Sequence, residues 1–202
     1  MTNIAVIYYS ATGNVYELAA AVADGVRSAG GDVRLRRVAE FAPDYAIDSN
    51  PRWRAHVTAT ADVTEATLDD LVWADGYVLG TPTRFGSMAS QLKQFIDTTS
   101  GLWSDGRLQD KVASGFTSAG TAHGGHESTL LSLYNVFMHW GSVLVPPGYT
   151  DAGTDHGFAN PYGSSSLDRA SGPTPEELEA ARHQGRRVAE KAALLRRVRV
   201  AA

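Results

Sequence analysis

Ser10, Thr12 and Asn14 fall within five residues, grouped around Gly13 and directly after the apolar run Ile4-Ala5-Val6-Ile7-Tyr8-Tyr9. The segment Ser10-Ala11-Thr12-Gly13-Asn14-Val15 thus offers two hydroxyls, an amide and successive backbone N–H groups at the head of an expected helix. Such a donor set can wrap a phosphate and hold it at the positive end of the helix dipole. It contains no Lys or Arg, which excludes the lysine-bearing triphosphate loop, and the GxGxxG dinucleotide turn is also missing. Neutral donors of this kind suit a terminal phosphate monoester. Ser10 and Thr12 could also be ordinary turn and cap residues, although the loop taken alone favours binding.

Two further loops carry similar chemistry. Thr81-Pro82-Thr83-Arg84-Phe85-Gly86 provides hydroxyls, a guanidinium and an aromatic ring, groups that can bond the polar rim of a planar heterocycle; taken singly it is equally a proline turn with a packed Phe. Ser118-Ala119-Gly120-Thr121-Ala122-His123-Gly124-Gly125 is flexible enough for its backbone to approach a flat ligand closely. His123 and His126 have only Glu127 as a nearby carboxylate and no metalloprotease helix pattern around them, so no metal site is expected.

The elements that must position these loops are legible from periodicity. Ile4 to Tyr9 reads as a buried strand, and Val15, Leu18, Ala19, Val22 and Val26 fall at helical spacing until Gly30-Gly31. Val33 to Val38 alternates apolar and charged residues, as an edge strand does. Residues 41–64 show no clear period. A short helix from about Ala66 to Trp73 leads to a third strand at Tyr77-Val78-Leu79, then to a helix carrying Met88, Leu92, Phe95 and Ile96. A fourth strand at Val112 to Thr117, a helix marked by Leu130, Leu133, Tyr134 and Phe137, and a fifth strand at Val143-Leu144-Val145 follow. Residues 146–173, rich in Pro, Gly, Ser and Asp, are expected to form an active-site or interface loop. Thr174, Pro175 and Glu177 mark the start of the last helix, whose Glu176, Glu177 and Glu179 at one end and Lys191, Arg196, Arg197 and Arg199 at the other match its dipole. The pattern predicts a five-stranded parallel α/β sheet with helices on both faces. It predicts one domain spanning 1–202, with irregular insertions at about 41–64 and 146–173. All three loops then lie at the carboxyl edge of one sheet, where open parallel sheets bind ligands.

Composition narrows the function further. The 202 residues carry 18 Lys and Arg against 22 Asp and Glu, a net charge of −4, which makes nucleic acid an unsuitable partner. Cysteine is absent, so disulfides, thiol nucleophiles and Cys-ligated clusters are excluded, and any redox chemistry must come from a bound cofactor. The chain starts straight into an apolar strand, and no apolar stretch reaches the roughly 20 residues of a membrane span. No membrane association and a cytoplasmic location are expected.

Tyr8-Tyr9-Ser10-Ala11-Thr12-Gly13-Asn14 resembles the FMN-phosphate loop of flavodoxins. Gly80 to Gly86, Gly101-Leu102-Trp103 and Pro161-Tyr162-Gly163 together resemble the WrbA family of flavodoxin-like NAD(P)H:quinone oxidoreductases, and the likeness runs from the first strand to the last helix. The resemblance implies a flavodoxin-like doubly wound sheet of order 2-1-3-4-5 and a cytoplasmic homotetramer that binds FMN. It also implies two-electron, ping-pong turnover in which NADH or NADPH is the donor and a quinone the acceptor. Ser10, Ala11, Thr12, Gly13, Asn14 and Val15 would hold the phosphate, and Pro82, Thr83, Arg84 and Phe85 would meet the ribityl chain and ring. Ser118, Ala119, Gly120, Thr121, Ala122 and His123 would flank the ring. His139 stands where the family has a flavin-contacting histidine, and Trp103 where it has the wall of the substrate cavity. Read without the family, His139 is a packed helix histidine, and Trp103 is equally a core or interface residue. Thr12 stands where some members place a tyrosine that touches the nicotinamide, so it counts as a substrate residue too. No catalytic acid or base is required. A flavodoxin-type electron carrier and an FMN-binding regulatory protein without turnover are the alternatives.

Overall fold

The computed structural model describes residues 1–150 and 160–201, the last five of these by backbone alone. The middle of the expected 146–173 loop and the side chains of Arg197 and Arg199 therefore lie outside the described residues. The elements run β1 (Asn3–Tyr8), α1 (Asn14–Ser28), β2 (Asp32–Arg37), α2 (Asp44–Asp48), α3 (Pro51–Ala59), α4 (Leu68–Trp73), β3 (Gly76–Arg84) and β4 (Ser87–Met88). They continue α5 (Ser90–Asp97), α6 (Ser100–Ser104), β5 (Val112–Ala119), α7 (His126–His139), β6 (Val143–Leu144), β7 (Ser165–Leu167) and α8 (Pro175–Ala201).

The strand order is β2-β1-β3-β5-β6 with every neighbouring pair parallel, which is the expected 2-1-3-4-5 once the short β4 hairpin strand is set aside. Strand β1 shows how the sequence builds both faces. Ile4, Val6 and Tyr8 point into one core with Val15, Leu18, Val22 and Val26 of α1 and Ala181, Val188 and Ala192 of α8. Ala5, Ile7 and Tyr9 point into the other, with Leu92 and Ile96 of α5 and Leu130, Leu133 and Phe137 of α7. The period of two along the strand meets a helical stripe on each side. Helices α1 and α8 cross at close range through two glycines: a Cβ on Gly25 would lie 2.0 Å from Arg182 O, and one on Gly185 2.1 Å from Val22 O.

The structure departs from the sequence expectation at several points. Met88, expected on the helix with Leu92, pairs instead with Thr83 in β4, ahead of α5. Residues 41–64 hold α2 and α3, although none of the α3 side chains is buried, which is why no apolar period marks it. That helix starts because Asn50 caps it, accepting from Arg52 N (3.0 Å) and Trp53 N (3.4 Å), and Pro51 occupies the first helical position. The fifth strand is also split. Strand β6 pairs only with Val112–Ala113 of β5, and Pro146-Pro147 then ends it, because proline brings no N–H to the ladder. The chain returns as β7, which pairs with Thr117–Ala119. Buried Gln184 of α8 fixes that return, donating to Ser114 Oγ and Gly115 O (both 2.7 Å) and accepting from Ser164 N (2.8 Å).

Candidate functional site

A cavity of about 270 Å³ opens at the carboxyl ends of β1, β3 and β5. The first loop lines it with Ser10, Ala11, Thr12 and Val15, the second with Pro82, Thr83 and Arg84, and the third with Ser118, Ala119 and Gly120. Asn50 and Trp53 of α3 and Asp168, just after β7, complete the wall.

The first loop is built to receive an anion. Gly13, at φ 105°, turns the chain into α1, and Ser10 Oγ accepts the Gly13 N–H (3.2 Å), which leaves the serine proton available to donate. Thr12 Oγ1 (3.1 Å) and Asn14 Nδ2 (2.6 Å) both donate to Asp168 Oδ1. Arg52 of α3 donates to the same oxygen (2.7 Å). Donors converging on one anionic oxygen at the head of a helix are the chemistry a phosphate monoester requires. The residues present thus fit the phosphate end of FMN.

The second loop is a hairpin tip. Thr83 and Arg84 pair antiparallel with Met88 and Ser87, leaving Phe85 and Gly86 as a two-residue turn at φ 53° and 77°. Two successive positive φ angles match the right-handed twist of the flanking strands. They suit Gly86 but strain a phenylalanine, and the Phe85 ring is fully exposed. A chain of hydroxyls ties this hairpin to the third loop: Thr129 Oγ1 donates to Thr83 Oγ1 (2.8 Å), which donates to Gly124 O (3.2 Å). His126 is buried and bonds Ser166 O of β7 through Nε2 (3.1 Å). Among the described residues no group of His, Asp and Glu is arranged to hold a metal.

The outer wall hangs on one carboxylate. Glu40 Oε2 accepts from Tyr9 Oη (2.8 Å) and Trp53 Nε1 (3.0 Å), while Oε1 accepts from Gln91 Nε2 (2.9 Å) and from Phe41 N and Ala42 N (both 3.0 Å). Burial pushes the Tyr9 phenol far above its ordinary range, and the adjacent Glu40 carboxylate adds to the shift. A smaller cavity of about 170 Å³ lies beside it, lined in part by Tyr8, Arg37 and His56. Burial also holds the His56 imidazole below its usual range.

Not every residue expected at the site lines the cavity. Thr121, Ala122 and His123 are exposed on the outer part of the third loop, and Asn14 is buried behind the first. Trp103 and His139 stand together, Trp103 Nε1 donating to His139 O (2.8 Å), but at the opposite edge of the sheet. Val143, four residues beyond His139, pairs with Val112 at the amino end of β5, whereas Ala119 at its carboxyl end borders the cavity. Helix α7 separates the two edges by roughly 20 Å, the length of a helix of its size. Sequence reasoning missed Asn50, Arg52, Trp53 and Asp168. The Asn-Pro start of α3 was the available signal for the first three, and no motif marks Asp168.

The profile of the NADPH-dependent FMN reductase family matches residues 2–157. The NAD(P)H dehydrogenase (quinone) of Deinococcus radiodurans is 45% identical over 192 residues, covering 95% of this chain and 96% of that protein. Its counterpart in Paracoccus denitrificans is 44% identical over 204 residues, covering 96% of each. Among solved structures, a flavodoxin, WrbA-like protein from Agrobacterium tumefaciens superposes with a TM-score of 0.70 at 27% identity, over 96% of this chain and 99% of that one.

Proposed function

Since the chain belongs to the NADPH-dependent FMN reductase family, we propose that it is an FMN-dependent NAD(P)H:quinone oxidoreductase. The observation that carries this reading is the convergence of three loops, from β1, β3 and β5, on one cavity whose phosphate end already collects hydroxyl, amide and guanidinium donors on a single anionic oxygen. Ser10 through Val15 would hold the FMN phosphate. Pro82, Thr83, Arg84 and Phe85 would meet the ribityl chain and ring, and Ser118 through His123 would flank the ring. When bound, FMN supplies the redox chemistry, accepting two electrons from NADH or NADPH and delivering them to a quinone. The protein binds, orients and excludes water; no side chain need act as acid or base.

Trp103 and His139 join this site from a second copy of the chain. Met138 and Leu131 are also exposed, seven residues apart on one face of α7, and the exposed Phe85 sits in the hairpin whose Gly86 lies beside the start of that helix. A second copy packed antiparallel along α7 would bring its Trp103 and His139 to the first copy's loops; the homotetramer of this reading joins two such dimers through a second interface. Thr12 and the partner-supplied Trp103 would border the nicotinamide and quinone. The reading places the enzyme in the cytoplasm, where both nicotinamide donors are available to it. Among the described residues no helix is long and apolar enough to cross a membrane.

Initial rates with NADH or NADPH and benzoquinone both varied test the reading. One shared binding cavity requires the oxidised nicotinamide to leave before the quinone enters, which gives parallel double-reciprocal lines. Intersecting lines contradict it, and an absence of turnover with either donor favours the electron carrier.

A further inference from the structure

We propose that Arg52 and Asp168 form a phosphate-exchange latch that selects the phosphorylated flavin: Asp168 holds the loop donors a cofactor phosphate takes over, and Arg52 supplies the charge that attracts it. The inference rests on the reading of the cavity as an FMN site and adds to it two residues outside the three expected loops.

Two of the first loop's side-chain donors, Thr12 and Asn14, are already committed. Thr12 has one hydroxyl proton, and it goes to Asp168 Oδ1 (3.1 Å). Both protons of Asn14 Nδ2 are taken as well, by Asp168 Oδ1 (2.6 Å) and Arg169 O (3.1 Å). A phosphate that uses the Thr12 hydroxyl must therefore displace the Asp168 carboxylate; the two anions cannot share a single proton. Arg52 is not exhausted in the same way. Its NH2 group bonds Asp168 Oδ1 (2.7 Å) and Arg169 O (2.9 Å), and the guanidinium carries further N–H donors in a planar fork that matches phosphate.

Charge points the same way. The loop from Ser10 to Val15 has no cation of its own. Arg84, which also lines the cavity, turns NH1 back to its neighbour's Thr83 O (3.0 Å). Arg52, carried on α3 behind its Asn50 cap, is thus the described cation that shares the Asp168 oxygen with Thr12 and Asn14. The Arg52 and Asp168 side chains are 39% and 32% exposed, and so open to an entering ligand. An ion pair this exposed contributes little to folding, so its placement at the mouth of the loop calls for another role.

Binding of FMN and of riboflavin, read by flavin fluorescence on the full chain, tests the latch. Arg52→Gln should weaken FMN about tenfold, the worth of one charge-assisted phosphate contact, and leave riboflavin unchanged. Arg52→Lys should restore most of the loss. Asp168→Asn, which removes the competing charge while keeping the side-chain shape, should tighten FMN and leave riboflavin unchanged. Variants that shift both flavins equally would reduce the pair to scaffolding and overturn the proposal, as would an Asp168→Asn protein that binds FMN more weakly. Wild-type protein that binds FMN while every variant matches it overturns the latch alone. Wild-type protein that binds neither flavin overturns the FMN site itself and the latch with it.

Discussion

Replacing Glu40 by Gln removes one acceptor oxygen from a carboxylate that receives five hydrogen bonds. The best orientation of the amide keeps its oxygen on Gln91 Nε2 and the Phe41 and Ala42 N–H groups, and turns its NH2 toward Tyr9 Oη and Trp53 Nε1. The Tyr9 hydroxyl can rotate, although it already accepts from Gln91 Nε2 (3.0 Å). The Trp53 indole N–H can only donate, and it is left facing another donor. One stranded donor together with the lost charge assistance on the remaining bonds costs about 2–3 kcal/mol. With a urea m-value near 2 kcal/mol/M, the unfolding midpoint should fall by roughly 1–1.5 M. The matched control is Tyr9→Phe, which deletes one hydroxyl and should cost about 1 kcal/mol. Urea titrations followed by tryptophan fluorescence and far-UV circular dichroism read both variants. Because Trp53 lines the cavity, Glu40→Gln should also weaken FMN binding. A Glu40→Gln protein within about 0.5 kcal/mol of wild type, with FMN affinity intact, would refute the argument that this carboxylate fastens the outer wall.

Gly185→Ala forces a methyl against Val22 O at the α1–α8 crossing and should cost about 3 kcal/mol, lowering Tm by roughly 6–12 °C. Gly101→Ala, inside α6 where a Cβ meets nothing within 4 Å, should hold Tm or raise it slightly in the same scan. Asp70 is buried; burial raises its carboxyl, but the Thr67 N–H and the Arg34 and Arg36 guanidinium groups outweigh that and hold it below the usual range. A lowered folded value means stability that is fully present above the unfolded value near 3.9 and is lost as pH falls through the folded one. Urea titrations of wild type at pH 7 and pH 3 should show that loss, and Asp70→Asn should already be about 2–3 kcal/mol weaker at pH 7 and fall less on acidification. Thr83→Val breaks the hydroxyl chain from Thr129 to Gly124; amide exchange across residues 120–125 should quicken several-fold, by about 1 kcal/mol of local opening energy, while β5 stays protected.

The strands could be read from the sequence because β1 and the start of β3 are short apolar runs and the helices that cover the sheet carry stripes matched to its two faces; the strand order rests on the family resemblance. The three loops could be read because their donors are consecutive in sequence. What escaped had a different physical basis. Helix α3 is held by a cap, a proline and one distant carboxylate rather than by an apolar stripe, so its period is silent. Strand β7 is three residues long and takes its register from the carboxyl end of β5 only after the chain has folded: its Ser165 and Ser166 lie beside Thr117 and Ser118, and Gln184, eighteen residues beyond Ser166, fixes the approach. Asp168 reaches Thr12 and Asn14 across more than 150 residues, a distance at which local pattern carries no information. Trp103 and His139 were legible as chemistry-bearing residues, but their position at the opposite edge of the sheet follows from the direction of α7, which spacing alone does not reveal.

The most direct test of the account is an anaerobic absorbance experiment on the chain reconstituted with FMN. Addition of NADH or NADPH should bleach the flavin band rapidly, and subsequent benzoquinone should restore it in full. Flavin that binds but stays oxidised with both nicotinamides, or that is reduced and then ignores the quinone, would contradict the assignment of this site to NAD(P)H:quinone oxidoreduction.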